Sequence, residues 1–190
     1  MRLFIAALIP DTVRVALARA QGALQQAASD RALRWVAPEN YHITLLFLGE
    51  QPEERAPMIV HAMESVAAGV APFEIGVQGL GVFPNWNRPN VLWAGVSKGS
   101  AELTHIANAL EQRLLTAPTG KAFHPHITLA RLKTPCRDAE NLKKRLHDAV
   151  QRLLPAPFGA YELRTISLMQ STLTPSGSFY TELAQVPLTR

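Results

Sequence analysis

The sequence predicts an α+β protein made of two similar halves that pack as two lobes of one compact domain. The order strand–helix–strand–helix–strand can be read twice along the chain, which is typical of an internal duplication. The tetrapeptide His-Ile-Thr-Leu also occurs twice, at an equivalent place in each half. The 190 residues, 47% of them hydrophobic, suffice for one ordinary domain and exclude a disordered or fibrous chain.

The first half of the chain alternates apolar runs with segments of helical periodicity. Short apolar or strand-forming runs predict three strands, over residues 3–9, 41–48 and 72–83. Apolar residues at helical spacing predict two helices, over residues 11–28 and near 53–69. Asp11 could cap the first of these helices. No apolar run is long enough to cross a membrane as a helix.

The second half repeats this order and adds a final strand. Strands are predicted over residues 91–96, 123–132, 160–172 and 178–187, and helices over 100–114, where Ser100 could act as the cap, and 138–154. Pro175-Ser176-Gly177 is a turn signal between the last two strands. The Pro- and Asn-rich segment Pro84–Asn90 is expected to connect the lobes. The repeats therefore span roughly residues 1–83 and 91–190 of a single domain covering 1–190.

The charge balance favours a phosphorylated or nucleic-acid partner only weakly. The formal net charge is +4, from 19 basic and 15 acidic residues, and most of the basic residues are arginines. The guanidinium group matches the geometry of phosphate oxygens, although a solvated surface explains such a charge equally well. Cys136 is the lone cysteine, so no intramolecular disulfide can form, and Pro10 and Asp11 interrupt the apolar start too early for a signal peptide. We expect a cytoplasmic protein with no membrane association and no obligate protein partner.

The two tetrapeptides are the strongest chemical signal in the sequence. They are His42-Ile43-Thr44-Leu45 and His126-Ile127-Thr128-Leu129, and both fall in predicted strands. With a side-chain period of two, Tyr41, Ile43, Leu45 and Phe47 would share one face of their strand, and His42 and Thr44 the other. Each strand would then bury its apolar face and present an imidazole beside a hydroxyl.

Two such imidazoles can divide acid and base catalysis between them. One can accept a proton from an attacking group while the other donates a proton to a leaving group. The hydroxyls of Thr44 and Thr128 can donate hydrogen bonds to phosphoryl oxygens, and Arg131 can add positive charge. A phosphodiester substrate fits these groups better than an acyl substrate. Neither a metal ion nor another cofactor is required by this chemistry.

The sequence around both motifs resembles that of the RNA 2′,3′-cyclic phosphodiesterases, historically called 2′-5′ RNA ligases, of the two-histidine phosphoesterase superfamily. The resemblance spans essentially the whole chain. It includes the start Arg2-Leu3-Phe4-Ile5-Ala6, the stretch Leu46-Phe47-Leu48-Gly49, the longer second motif Phe123–Arg131, the segment Gly81-Val82-Phe83-Pro84, and the residues from Ser171 to Tyr180 near the end.

This resemblance implies a bilobal fold in which two pseudo-symmetric lobes enclose a central groove that carries both motifs. It further implies that an RNA terminal 2′,3′-cyclic phosphate is opened to a 2′-phosphate. His42 would be the proton donor to the departing 3′ oxygen, and His126 the proton acceptor that activates water. Thr44, Thr128 and Arg131 would hold the phosphate. Small cyclic or 2′-5′ linked nucleotides remain alternative substrates, and 2′-5′ ligation remains an alternative reaction at the same site.

The sequence also suggests three other hypotheses. Gly95-Val96-Ser97-Lys98-Gly99 matches the nucleophile elbow of serine hydrolases. His124 and His126, on one strand face, could bind zinc together with His42.

The third hypothesis is a non-catalytic module that binds RNA ends through exposed aromatic and arginine side chains. Trp86, in the Pro-Asn segment, and Arg88 are its strongest candidates. Trp35, Tyr41 and Phe83 are weaker ones, because such aromatic side chains are more often buried in a core.

Overall fold

The chain folds into alternating strands and helices that follow the predicted order. The structure, a computed structural model, describes residues 1–28, 33–117, 120, 122–132, 139–154, 157–174 and 177–190. The strands are β1 (Arg2–Leu8), β2 (Leu33–Trp35), β3 (His42–Glu50), β4 (Phe73–Phe83), β5 (Val91–Lys98), β6 (His126–Leu132), β7 (Pro157–Leu163), β8 (Thr165–Thr174) and β9 (Gly177–Pro187). The helices are α1 (Asp11–Ala27), α2 (Ala56–Ala67), α3 (Ser100–Leu114) and α4 (Ala139–Leu153).

Within the described residues, the strands form one curled antiparallel sheet. Its order is β7-β4-β5-β6-β3-β1-β8-β9, and β2 pairs with the end of β6. The two motif strands β3 and β6 meet in the middle, where Ile43 is paired with Ile127. Apart from that single pair, β3 is paired with β1 while β6 is paired with β5 and β2, so the two motif strands diverge from each other. We call the side of the sheet that carries the motif histidines the groove face.

Two lobes meet at the β3–β6 contact. The first lobe contains β3, β1, β8 and β9, and helices α2 and α3 pack against its strands. The second lobe contains β6, β5, β4, β7 and β2, and helices α1 and α4 pack against it. Helix α1 follows a strand of the first lobe but packs on the second, and α3 makes the opposite exchange. The lobes are therefore pseudo-symmetric, as expected, but each takes helices from both sequence repeats.

The apolar faces of the motif strands anchor them in a shared core. Ile43, Leu45, Ile127 and Leu129 are at most 3% exposed and belong to the main hydrophobic cluster, which lies between the sheet and the helices. Burial of a Leu or Ile side chain contributes roughly 1.5–3 kcal/mol. A smaller cluster of Phe4, Ala6 and Met169 lies on the groove face of the first lobe.

Several local predictions differ from the structure. The segment Pro84–Asn90 joins β4 to β5, which are paired neighbours in the second lobe, so it does not connect the lobes. The strand predicted over residues 160–172 is two strands, because the chain bends at Arg164 and passes from β7 in one lobe to β8 in the other. Strand β2 was not predicted, since three residues give too short a pattern.

Neither proposed helix cap forms. Asp11 is the first residue of α1, and its carboxylate forms an ion pair with Arg14 at 2.7 Å. Ser100 is the first residue of α3, and the cap position before it is occupied by Gly99, with φ +81°. Cys136, residue 138 at the start of the last predicted helix, and Pro175-Ser176 of the predicted turn lie outside the described residues. No helix in the described part of the chain is long and apolar enough to span a membrane.

Candidate active site

The two motif histidines lie at the start of β3 and β6, on the groove face where the lobes meet. Each imidazole is fixed by the same contact. His42 Nδ1 lies 2.8 Å from the main-chain oxygen of Asn40, and His126 Nδ1 lies 2.7 Å from that of His124. A carbonyl oxygen can only accept, so Nδ1 carries a hydrogen in both rings. In the neutral rings Nε2 is therefore the unprotonated nitrogen that can take up a proton.

The threonines lie on the same face as the histidines, as the motif spacing predicts. Thr44 Oγ1 is 2.9 Å from His42 Nε2, and its hydroxyl donates to that nitrogen when the ring is neutral. Thr128 is paired with Trp93 of β5, and both are partly buried. The ring of Trp93 lies against Gly81, where an added Cβ would come within 2.3 Å of it. The Trp93 ring therefore packs directly on the backbone of β4, next to Thr128.

A β-bulge in each motif strand changes which later residues face the groove. In β6, Trp93 is opposite Thr128 and Leu92 is opposite Ala130, so Leu129 is an extra residue. The bulge shifts the alternation, and Arg131 returns to the face that carries His126 and Thr128. Strict alternation would have placed Arg131 on the core side with Leu129.

The equivalent bulge at Leu45 in β3 overturns one prediction. Phe47 does not share the buried face of Ile43 and Leu45, because the register shift brings it to the groove face, opposite Phe4. Its side chain is 64% exposed, and its ring centroid lies 6.1 Å from that of Phe4. Phe47 and Arg131 therefore occupy equivalent positions in the two lobes, one aromatic and one cationic. The difference is visible in the motif sequences, His-Ile-Thr-Leu-Leu-Phe and His-Ile-Thr-Leu-Ala-Arg. The face of the sheet to which Phe47 and Arg131 project is evident only from the bulges.

Aromatic rings flank both histidines. The ring of His42 lies 5.0 Å from Phe4 and 5.3 Å from Tyr180, and that of His126 lies 4.9 Å from Phe83. Tyr180 comes from the β8–β9 hairpin, which also contacts the residue that orients His42, because the Asn40 side-chain amide donates to the Ser178 oxygen at 2.9 Å. Sequence reasoning missed Tyr180 and Asn40, since neither is part of a repeated motif.

Burial and positive charge disfavour protonation of both histidines in the unliganded site. Burial lowers the pKa of His42 below its ordinary 6.5, and the charges of His126 and Arg131 lower it further against the hydrogen bond to Asn40. Burial likewise lowers the pKa of His126, with Arg131 and His124 adding to the effect. A bound phosphodiester anion would oppose these charges and favour protonation of one ring. The site can therefore hold one neutral and one protonated imidazole around an anionic substrate.

Trp86 and Arg88 lie outside this cluster. The ring of Trp86 is half-buried against α4, with its centroid 4.8 Å from that of His147, and Arg88 is exposed in the same β4–β5 loop. Trp35 and Tyr41 are held on the core side, Tyr41 with 4% exposure, whereas Phe83 contacts His126.

Two other chemical hypotheses find no geometric support. Ser97 is an exposed residue within β5, and the left-handed turn that follows is at Gly99, so Ser97 does not lie on a nucleophile elbow. In the part of the chain that the structure describes, no three His, Cys, Asp or Glu side chains converge in a metal-binding arrangement, including His42, His124 and His126.

Curated relatives share this sequence over most of its length. An RNA 2′,3′-cyclic phosphodiesterase of Archaeoglobus fulgidus is 36% identical over 96% of this chain and 98% of its own. The protein of the same name from Thermus thermophilus is 35% identical, over 99% of this chain and 90% of its own.

Solved structures share the fold. The protein TT0787 of Thermus thermophilus matches 99% of this chain and 98% of its own, with a TM-score of 0.76 and 34% identity. E. coli LigT complexed with 3′-AMP covers 100% of this chain and 98% of its own, with a TM-score of 0.68 and 26% identity. The family model described as LigT like Phosphoesterase matches residues 8–93 and residues 95–180, one match for each repeat. The chain therefore belongs to the LigT-like phosphoesterase family.

Proposed function

We propose that this protein hydrolyses the 2′,3′-cyclic phosphate at the end of an RNA to a 2′-phosphate, without a metal ion. The paired histidines, each with Nδ1 bound to a carbonyl and Nε2 available for proton transfer, are the observation that carries the proposal. The relatives named as RNA 2′,3′-cyclic phosphodiesterases support it, and so does the 3′-AMP complex of E. coli LigT.

In the proposed reaction, water attacks phosphorus while His126 Nε2 accepts a proton from it. The new P–O bond forms as the bond between phosphorus and the 3′ oxygen breaks, and protonated His42 donates its Nε2 proton to that oxygen. The products are a 2′-phosphate and a free 3′-hydroxyl. Thr44 and Thr128 donate hydrogen bonds to the non-bridging oxygens, and Arg131 balances their charge.

The walls of the groove orient the substrate in this proposal. Exposed Phe47 offers the nucleobase a stacking surface on the first lobe. Arg131 offers the phosphate a cation on the second lobe. The pseudo-symmetric site thereby distinguishes the two ends of a nucleotide. Ligation of 2′-5′ ends is not favoured, since the named relatives are hydrolases.

The test is product mapping with an oligoribonucleotide that ends in a 2′,3′-cyclic phosphate, incubated with the protein in EDTA. We expect a product heavier by one water, with a phosphomonoester that ³¹P NMR assigns to the 2′ position. An intact substrate would contradict the proposal, a 3′-phosphate would contradict the assigned leaving oxygen, and loss of activity in EDTA would contradict metal independence.

A further inference from the structure

Strand β2 places a second arginine directly opposite Arg131. Arg34 is the direct cross-strand partner of Arg131 in the antiparallel β2–β6 pair. Directly opposed residues project to the same face, with Cβ atoms about 4.5–5.5 Å apart. The neighbours of Arg34 support this direction, because Leu33 and Trp35 pack in the main core on the other side of the sheet. Arg34 is exposed and lies on the groove face.

Two like charges directly opposed across strands destabilise a sheet. A carboxylate between them would remove this cost, but the ion pairs formed among the described residues involve neither Arg34 nor Arg131. The pair is therefore a concentration of positive charge that an anion would stabilise. Arginine side chains in this arrangement can each form a forked contact with phosphate oxygens.

The two arginines are not equivalent with respect to the histidines. Arg131 lowers the pKa of both His42 and His126, so its charge acts at the reaction centre. Arg34 lies on β2, one strand farther from the histidines along that edge of the sheet. In the proposed reaction, two imidazoles, two threonine hydroxyls and Arg131 already surround the reacting phosphate. Arg34 is thus placed for a second anionic group beyond the reacting one.

We propose that Arg34 binds the phosphodiester adjacent to the reacting terminus and makes the site selective for RNA ends over mononucleoside cyclic phosphates. The inference rests on the proposed function. A terminal 2′,3′-cyclic phosphate closes the 3′ end of a strand, so every other phosphate lies on its 5′ side. The second anion is therefore the phosphodiester one nucleotide upstream. A mononucleoside cyclic phosphate has no such group.

Three substrates isolate this contact. The first is adenosine 2′,3′-cyclic phosphate, and the second is the adenosine dinucleotide with the same cyclic end. The third is that dinucleotide with an uncharged methylphosphonate as its internal linkage, which keeps the second nucleoside and removes its charge. Each is assayed for kcat/KM with the wild type, with Arg34→Gln, and with Arg113→Gln as a matched control. Arg113 is an exposed arginine on α3, outside the groove.

For Arg34→Gln we expect kcat/KM to fall about tenfold on the charged dinucleotide, the size of one charge-assisted contact to phosphate. It should stay unchanged on the mononucleotide and on the methylphosphonate, which also shows that the variant is folded. The wild type should hydrolyse the methylphosphonate about tenfold more slowly than the charged dinucleotide, and Arg113→Gln should behave as the wild type.

Other results separate the two proposals. If Arg34→Gln lowers kcat/KM equally on the mononucleotide and the charged dinucleotide, Arg34 acts on the reacting phosphate. If Arg34→Gln and the wild type have equal kcat/KM on the charged dinucleotide, Arg34 binds no phosphate. Either result would overturn the inference while leaving the hydrolysis intact. If the wild type hydrolyses none of the substrates, the proposed function itself fails.

Discussion

The chemistry of single residues in this site depends on which nitrogen carries a proton. The carbonyl contacts at Nδ1 leave Nε2 as the nitrogen of each imidazole that can take up a proton. Partial burial of the rings lowers the pKa of His42 and His126. In the proposed mechanism the free enzyme needs one neutral and one protonated ring, so kcat/KM should be highest between the two pKa values. Both values lie below the ordinary 6.5, so we expect an optimum of kcat/KM on the acid side of 6.5.

Arg131→Gln tests this electrostatic account. Removing the cation relieves a cause that lowers the pKa of both histidines. Both values should rise, and the optimum of kcat/KM should move to higher pH even though the rate falls. The measurement is the pH dependence of kcat/KM on a cyclic-phosphate dinucleotide, with Arg113→Gln as the control for a general change in charge. An unmoved optimum, or one displaced to lower pH, would show that Arg131 does not act on the histidines.

For strands and helices, the periodicity of the sequence predicted most of the elements. It did not predict which face of the sheet the residues after a β-bulge occupy. The positions of His42, Thr44, His126 and Thr128 follow from alternation, because they precede the bulges. Phe47 comes after a bulge, so strict alternation placed it on the wrong face. An extra residue in a strand depends on how the neighbouring strand pairs, which a single sequence does not contain.

A hydrogen bond near the first motif connects helix α1 of the second lobe to the start of β3 in the first lobe. The hydroxyl of Tyr41, the residue before β3, donates to the side-chain oxygen of Gln21 on α1, and both residues are buried. Helix α1 belongs to the second lobe and β3 to the first. This hydrogen bond therefore fixes the start of the motif strand against the opposite lobe.

Tyr41→Phe should lower the free energy of unfolding by about 1–3 kcal/mol, because the buried Gln21 oxygen loses its donor. Tyr161→Phe is the matched control. The Tyr161 hydroxyl is buried and has no hydrogen-bond partner among the described residues, so its removal should leave stability unchanged or raise it. Urea unfolding measures both. Equal destabilisation by the two substitutions would mean that the Tyr41–Gln21 bond contributes nothing specific.

For the molecule as a whole, duplication explains the paired histidines, and divergence between the repeats makes the two sides of the site different. The repeat in the sequence predicted two pseudo-symmetric lobes, and the structure has them. Exchange of α1 and α3 between lobes could not be read from the chain, because amphipathic helices do not specify which sheet they cover. The site became asymmetric through Phe47 and Arg131, which give equivalent positions an aromatic surface and a charge.

The most direct test of the two-histidine mechanism is the single-turnover rate of His42→Ala and His126→Ala on an RNA end with a 2′,3′-cyclic phosphate. Each substitution should slow hydrolysis by about 10²–10⁴-fold, the usual contribution of a general acid or base. The double variant should be little slower than the single ones, since the histidines act as a unit. Binding of the RNA end should persist in all three. A rate within tenfold of the wild type in either single variant would contradict the two-histidine mechanism.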